Sequence, residues 1–311
     1  MHQAKPVIGA VGLGGESVFL SVDHFHAPGE TLRAEGLFIE PGGKAYNQAV
    51  AARRLGAEVL FFGAVGADAG GGLCREVLAR EGITPILQVA EKTNTAYACI
   101  LTDRAGENRV TVSRGAADQL SAEFIYTHED AIRSCTHLLL GLECPVEATR
   151  AALELAQKHH VFTILNPAPA IALEWEFLRG FDLITPNLQE ATVLLGLKRQ
   201  PAAAELPALL REAGLTRAVV TLGSQGALML DGEKSLLFPA LKVHAVDTTG
   251  AGDTFNAALA VMLGKGASLS SAVEYATNAS AYSVSRPHVL DALPTQQELE
   301  ACLLPVHPIA L

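Results

Sequence analysis

The chain has 311 residues, of which 49% are hydrophobic and 5% aromatic. This is enough apolar material for the core of one large α/β domain or two smaller ones. Abundant Ala, Leu, Val and Gly favour helices packed on a parallel sheet. The net charge of −10, from 33 acidic and 23 basic residues, argues against nucleic acid as a partner.

The cysteines and the N-terminus indicate where the protein works. Five cysteines, odd in number and never in a CxxC arrangement, predict reduced and mostly buried thiols in a cytoplasmic protein, rather than a disulfide framework or a zinc site. They are Cys74, Cys99, Cys135, Cys144 and Cys302. The first residues lead into a glycine-interrupted apolar run that is neither a signal peptide nor a membrane span, so we expect no membrane partner.

The first predicted strand covers residues 7–11 and ends at Gly12-Leu13-Gly14. Such a glycine pair after a strand invites comparison with a dinucleotide-binding loop. Ser17 stands where the third glycine of that fingerprint is required, and no helical pattern follows at once. The fingerprint is therefore incomplete, which argues against a nucleotide-dependent oxidoreductase.

Two segments alternate with period two, as half-buried strands do. Residues 18–40 pass through a turn at 27–31 into the first alternation, and residues 95–114 form a predicted hairpin. We expect these insertions to form a small antiparallel β lid on a single domain spanning 1–311. Lids over phosphoryl-transfer sites exclude water, and exposed lid strands favour a homodimer through the lid.

A diglycine loop opens the next predicted helix, which ends at Gly56. Lys44 and Asn47 fall in the first turn of this helix, on the side that faces whatever Gly42 and Gly43 approach. These residues are candidates for ligand contacts. The alternative is a glycine N-cap followed by a solvated lysine.

Two acidic positions follow predicted strands in the middle of the chain. Glu143 comes just after the strand at 136–140, where open α/β sheets bind ligands, although it could equally be an exposed loop acid. Asn187 and Glu190 follow the strand at 183–185 and share one helix face. They suit the ordering of water around Mg²⁺ or a capping box, and the two functions are compatible.

The segment before the last long helices carries the strongest chemical signal. A strand-like run at 241–246 leads to two glycines and a predicted helix at 252–263. Such a helix start attracts anions, and Gly250 and Gly252 allow close backbone approach. Asp253 would repel a bound phosphate, unless it is the base that takes a proton from the attacking hydroxyl. The alternative is a simple N-cap.

Motifs in one order along nearly the whole chain resemble those of PfkB-type, ribokinase-like sugar kinases. The two outer ones are Gly42-Gly43-Lys44…Asn47-Gln48-Ala49…Leu55-Gly56 and Asp247-Thr-Thr-Gly-Ala-Gly-Asp253-Thr-Phe255. Between them lie Leu142-Glu143-x-Pro145, Asn166-Pro-Ala-Pro, Asn187-x-x-Glu190 and Thr221-Leu-Gly-x-x-Gly226. The resemblance implies a three-layer α/β/α body with a central, mostly parallel sheet and a small antiparallel β lid.

The resemblance also implies ATP and Mg²⁺ as cofactors, possible dependence on K⁺, and phosphorylation of a sugar hydroxymethyl group. It assigns Asp253 as catalytic base and Gly250, Ala251 and Gly252 as the anion hole. The implied sugar contacts are Gly42, Gly43, Lys44, Asn47, Glu143 and the position of Ser17. The implied nucleotide contacts are Asn187, Thr221, Gly223, Gly226 and Asn278, with Glu190 holding Mg²⁺ through water and Asp247 and Thr249 as K⁺ ligands.

Two stretches depart from the family pattern. Ser17 replaces an Asp that binds vicinal sugar hydroxyls. A neutral side chain cannot accept hydrogen bonds from two hydroxyls as a carboxylate does. A shift of the motif by one residue would place Glu16 at this position. Alternatively, a larger sugar, a keto-sugar acid or a nucleoside would occupy the room left by Gly15. Residues 286–292 lack the Gly and Ser of the cation-binding run, which leaves the K⁺ requirement open.

A non-catalytic sugar or nucleotide sensor is the remaining alternative. A sensor that kept only the fold would be expected to lose the base, the anion-hole glycines or the Asn187 and Glu190 pair. All of these residues are present. The sequence therefore favours an active kinase.

Overall fold

The computed structural model describes residues 5–311, and its strands form two sheets. In chain order the strands are β1 Val7–Val11, β2 Gly15–Ser21, β3 Gly36–Gly42, β4 Glu58–Gly66, β5 Thr84–Ala90, β6 Ala96–Thr102, β7 Asn108–Ser113, β8 His137–Leu140, β9 Phe162–Leu165, β10 Leu183–Ile184, β11 Arg217–Thr221, β12 Ala227–Asp231, β13 Lys234–Phe238 and β14 Ile309–Ala310.

The α-helices of residues 5–311 include those predicted after the diglycine loop and at 252–263. They are α1 Lys44–Arg54, α2 Ala69–Glu81, α3 Ala122–Thr127, α4 Glu129–Ser134, α5 Val146–His159, α6 Trp175–Leu178, α7 Leu188–Leu194, α8 Leu206–Glu212, α9 Ala251–Gly264, α10 Leu269–Val284 and α11 Gln296–Glu300. No helix in this part of the chain is long and apolar enough to cross a membrane.

The large sheet has the order β14-β13-β12-β11-β10-β9-β8-β1-β4-β5. Its pairs are parallel from β5 to β11 and antiparallel from β11 to β14. Because strand side chains alternate between faces, neighbouring residues of one strand enter different cores. In β8, Leu139 packs with α1 and α9 on one side, whereas Leu138 and Leu140 pack with α5 on the other. The predicted three-layer body is confirmed.

The lid is a four-stranded sheet of order β3-β2-β6-β7. Its two outer pairs are antiparallel, as predicted, and a parallel pairing of β2 with β6 joins them. The hairpin predicted at 95–114 is present. In the other insertion, residues 22–35 are irregular and the strand begins only at Gly36, because β2 stops at Ser21 and offers no partner to the alternating residues before it.

The prediction of a strand at 241–246 is wrong. The chain is irregular from Pro239 to Gly250, and Val243 and Val246 are 41% and 54% exposed. The amide of Val246 donates to the carbonyl of Val284, at the end of α10, rather than to a neighbouring strand. Apolar residues do recur in this run, but no other element of the described structure covers these two valines.

The cysteines agree with the expectation of free and mostly buried thiols. All five are unpaired, and Cys74, Cys135 and Cys144 are buried. Burial raises the pKa of each of these three thiols to about 12, which keeps them protonated and unreactive at neutral pH.

Candidate active site

The start of α1 is built from a glycine and a distant carboxylate. Gly43 has φ of 120°, and a Cβ there would lie 2.3 Å from the carbonyl oxygen of Leu13, so only glycine fits. Gly43 has no side chain to cap the helix, and Oε2 of Glu143 accepts from the amides of Lys44 at 2.9 Å and Ala45 at 3.4 Å instead. Glu143 therefore fixes the first turn that carries Lys44 and Asn47.

Asp253 lies in the first turn of α9 and is only 5% exposed. Its Oδ2 accepts from Nδ2 of Asn47 at 2.8 Å, and its Oδ1 accepts from Nε2 of Gln48 at 3.4 Å. Both donors belong to α1, 206 and 205 residues away along the chain. The contact of the two helix starts thus orients the predicted base.

Three carboxylates and one ammonium group determine the electrostatics of the site. Burial raises the pKa of Asp253, and the nearby Lys44 opposes this. Burial, followed by repulsion from Asp253, raises the pKa of Glu143 to about 7; burial also raises the pKa of Glu190. Conversely, Asp253 raises the pKa of Lys44, ahead of Glu143 and Glu190. The site therefore holds a charged lysine among carboxylates that bind protons unusually tightly.

The loop before Asp253 has the geometry of an anion site. Gly250 caps α9 with φ of 76°. In the described part of the chain, the amides of Gly252 and Asp253 have no hydrogen-bond acceptor, as expected for the first turn of a helix. Apart from the adjoining residues and the backbone of α9 itself, no atom of the described chain lies within 4 Å of where a Cβ at Gly252 would be. Two free amides therefore border open space beside the Asp253 carboxylate.

Three of the predicted sugar contacts lie close together between the lid and α1. Oδ1 of Asn47 is buried without a hydrogen-bond partner in the described structure, so it is an acceptor available to a ligand hydroxyl. A Cβ at Gly42 would lie 4.0 Å from this oxygen and 2.6 Å from Oγ of Ser17. Ser17, Gly42 and Asn47 are thus neighbours in the structure.

The room expected at Gly15 is absent, so that expectation is wrong. A Cβ at Gly15 would lie 2.5 Å from the carbonyl oxygen of Ala96. The two residues are paired across β2 and β6, and the close approach of the backbones consumes the space. Gly15 therefore serves strand packing and does not enlarge the ligand pocket.

The nucleotide candidates gather around the ends of β10 and β11. Asn187 caps α7 and forms a capping box with Glu190, with both hydrogen bonds at 2.8 Å. A β-bridge joins Asn187 to Thr221. Gly223 and Gly226 follow with φ of 58° and 101°, and a Cβ at Gly226 would lie 1.9 Å from the carbonyl oxygen of Phe238.

Asn278 lies on α10 and lines a cavity of about 550 Å³ together with Leu241, Tyr282 and Arg286. Its side chain is engaged within the protein, because its Oδ1 accepts from the amide of Leu304 at 2.7 Å and its Nδ2 donates to the carbonyl of Leu304 at 3.0 Å. Asn278 therefore lines this cavity while its side chain holds the C-terminal segment in place at Leu304.

The predicted cation ligands form no metal-binding cluster in the described structure. Among residues 5–311 no cluster of three His, Cys, Asp or Glu side chains is arranged to hold a metal. Glu190 uses one carboxylate oxygen in the capping box, which leaves the other for water around a metal that is bound mainly by phosphates. Asp247 is half-buried, and its Oδ1 accepts from the amide of Thr249 at 2.9 Å.

Sequence reasoning missed three residues that the structure places at the site. Gln48 was part of a recognised motif without an assigned role, and it now supports Asp253. Glu40 is 5% exposed, and its two oxygens accept from the amides of Val289 and Leu290, both at 3.1 Å. A charged residue inside the run Leu37–Pro41 was the available signal for Glu40, whereas Val289 carried none.

Comparison with known proteins identifies the family of the chain. The model of the pfkB family of carbohydrate kinases matches residues 16–296. The ribokinase of Haemophilus influenzae is 36% identical over 301 residues, which cover 96% of this chain and 97% of the relative. The crystal structure of Thermotoga maritima ribokinase has a TM-score of 0.85 at 34% identity, over 95% of this chain and 98% of that one.

A third comparison concerns a ligand-bound structure. Arabidopsis thaliana ribokinase, solved with ribose and ATP, has a TM-score of 0.86 at 25% identity, over 96% of this chain and 98% of that one. The family model covers most of the chain, and the relatives are matched almost end to end. The chain therefore belongs to the pfkB family of carbohydrate kinases and is an ATP-dependent sugar kinase of the ribokinase type.

Proposed function

We propose that the protein transfers the γ-phosphoryl group of ATP to the hydroxymethyl group of a pentose, with ribose as the first candidate. The observation that carries the proposal is the position of Asp253, a buried carboxylate beside the free amides of α9 and beside the unpartnered Oδ1 of Asn47. Ribose is supported by the ribokinases that this chain resembles.

In the proposed mechanism, Asp253 accepts the proton of the sugar hydroxymethyl group as its oxygen attacks the γ-phosphorus. Burial raises the pKa of Asp253, which makes its carboxylate a stronger base than an exposed aspartate and suits this role. The free amides of Gly252 and Asp253 stabilise the negative charge that develops on the transferred phosphoryl group. Lys44 adds a positive charge, and Oδ1 of Asn47 accepts a hydrogen bond from a sugar hydroxyl.

Mg²⁺ would neutralise the nucleotide phosphates when bound. We propose that Glu190 orders water around it with its free carboxylate oxygen, while Asn187, Thr221, Gly223, Gly226 and Asn278 border the nucleotide. We also propose that Asp247 and Thr249 belong to a monovalent cation site. Free thiols and the use of ATP suit a cytoplasmic enzyme.

A coupled assay of ADP release tests the substrate. The panel contains ribose, 2-deoxyribose, hexoses, keto-sugar acids and nucleosides, each with and without K⁺. Turnover of ribose above the other sugars supports the proposal and shows that Ser17 is compatible with a pentose. Turnover of another class alone contradicts ribose, and ATP binding without turnover on any compound would favour a sensor.

We also propose a homodimer through the lid. Every residue of β7 is exposed, including Val110 at 58% and Val112 at 54%, and Leu37 on β3 is 64% exposed. Exposed apolar residues on a sheet edge favour strand or face pairing. Sedimentation at micromolar concentration should give a dimer that Val110→Asp shifts toward monomer, whereas a monomeric wild-type protein contradicts the proposal.

A further inference from the structure

Glu40 is the feature that the proposed reaction leaves unexplained. It lies on β3 opposite Ser17 of β2 and is 5% exposed. Burial raises its pKa to about 7, and the nearby Asp291 and Asp247 add to this. Burying a carboxylate without a cation is unfavourable. The two amide hydrogen bonds that Glu40 accepts must therefore offset much of the free energy of its desolvation.

Those two bonds hold one short segment of the body. Each carboxylate oxygen of Glu40 accepts from one of two successive amides, Val289 and Leu290, at 3.1 Å. The preceding residue, His288, has φ of 65°, a conformation that side chains other than glycine seldom adopt. Its ring packs edge-on against Phe38 with centroids 3.9 Å apart, and Phe19 lies 6.5 Å away. Phe19 and Phe38 are paired lid residues, so the lid contacts this segment at His288 as well as at Val289 and Leu290.

The held segment reaches the anion-binding loop directly. A Cβ at Gly250 would lie 2.7 Å from Cγ1 of Val289, so the Val289 side chain packs against the residue that caps α9. Gly250 sets the direction of the free amides that follow it. A continuous set of contacts therefore runs from β3 of the lid, through Glu40 and Val289, to the loop before Asp253.

We propose that Glu40 is a positioning residue that fastens the lid to residues 288–290, and that movement of the lid over the sugar thereby orders the phosphoryl-binding loop. This rests on the proposed function. In the described structure, the side chain of Glu40 makes no hydrogen bond to the predicted catalytic or sugar-binding residues, and Glu40 acts through Val289 on Gly250. Sugar binding beneath the lid is thus coupled to nucleotide binding at α9.

Glu40→Gln is the principal test, because glutamine keeps the shape but offers one acceptor oxygen to two amides. Glu107→Gln, an exposed glutamate of the lid hairpin, is the matched control. We expect Glu40→Gln to lower kcat at least tenfold and to raise the KM for ATP severalfold at saturating sugar, and Glu107→Gln to keep wild-type values. Glu40→Gln with wild-type kcat overturns the proposal.

A binding measurement separates positioning from general damage to the fold. The Kd of a non-hydrolysable ATP analogue is measured with and without the sugar that the wild-type enzyme turns over. We expect the sugar to tighten analogue binding at least fivefold in the wild type and less than twofold in Glu40→Gln. Equal tightening in both proteins overturns the proposal.

Hydrogen exchange distinguishes failure of this inference from failure of the proposed function. Absence of kinase turnover in the wild type contradicts the function, whereas the amides of Val289 and Leu290 still report on the attachment. We expect them to exchange slowly in the wild type and at least tenfold faster in Glu40→Gln, with α5 unchanged. Unchanged exchange overturns the attachment itself.

A second variant covers the case in which Glu40→Gln does not fold. Val289→Ala keeps the backbone amide that Glu40 binds but removes the methyl groups that contact Gly250. We expect slow exchange at residues 289 and 290 together with a severalfold lower kcat. Wild-type kcat in Val289→Ala overturns the proposed route to the anion-binding loop.

Discussion

Asp253→Asn is the most informative single change, because it removes the proposed base while keeping its shape. The asparagine carbonyl can retain the 2.8 Å hydrogen bond from Asn47. The new amide group then faces Nε2 of Gln48, where only the long bond of 3.4 Å is lost. A buried carboxylate with a raised pKa is also removed, so the variant should fold with an unchanged or slightly higher unfolding temperature.

The expected cost falls on turnover. General base catalysis contributes about 10²-fold to 10⁴-fold, which corresponds to about 3 to 5 kcal/mol of transition-state stabilisation at ~1.4 kcal/mol for each factor of ten. Removal of the negative charge near Lys44 should leave nucleotide affinity largely intact. We therefore expect kcat to fall by two to four orders of magnitude with a similar KM for ATP.

The assay is steady-state ADP release at saturating sugar and ATP, with calorimetric titration of the nucleotide as a second readout. Glu147→Gln is the matched control, since Glu147 is also an acid in the first turn of a helix but is exposed on α5. The control should keep wild-type turnover. A rate for Asp253→Asn within threefold of the wild type would refute its role as base.

The remaining predictions separate stability from activity. Gly252→Ala should keep or raise the unfolding temperature, because alanine favours helices and its Cβ meets no protein atom. It should nevertheless lower kcat at least tenfold, since that methyl group enters the anion site; unchanged kcat would contradict the site. The folded-state pKa of Glu143 is about 7 instead of 4.5, so ionising it costs stability as pH rises through this window. Glu143→Gln should therefore gain in unfolding temperature relative to the wild type between pH 5 and 8, and a constant difference by scanning fluorimetry would contradict that pKa.

Local pattern was sufficient wherever the function rests on backbone geometry. Gly43 and Gly250 were recognisable because a helix start that receives a ligand needs glycine before it. Asp253 was recognisable because an acid at an anion site requires a chemical explanation. The lid hairpin and the order of βα units followed from hydrophobic period alone.

The sequence pattern gave wrong predictions where burial depends on packing against another element of the fold. The run 241–246 alternates like a strand, yet its valines are exposed because nothing covers them. Gly15 suggested a spacious pocket, yet the neighbouring strand lies against it. Both errors arise because local sequence gives the size and polarity of a residue but not which distant residues pack against it.

The sequence by itself determined the fold class and the kinase chemistry and predicted Asp253 as the base, since these depend on residues close together along the chain. Only the tertiary structure decided how these parts are joined. Asp253 meets Gln48 across 205 residues, and Glu40 meets Val289 across 249. Contacts of this range arise from the packing of separate elements, and no local propensity encodes them.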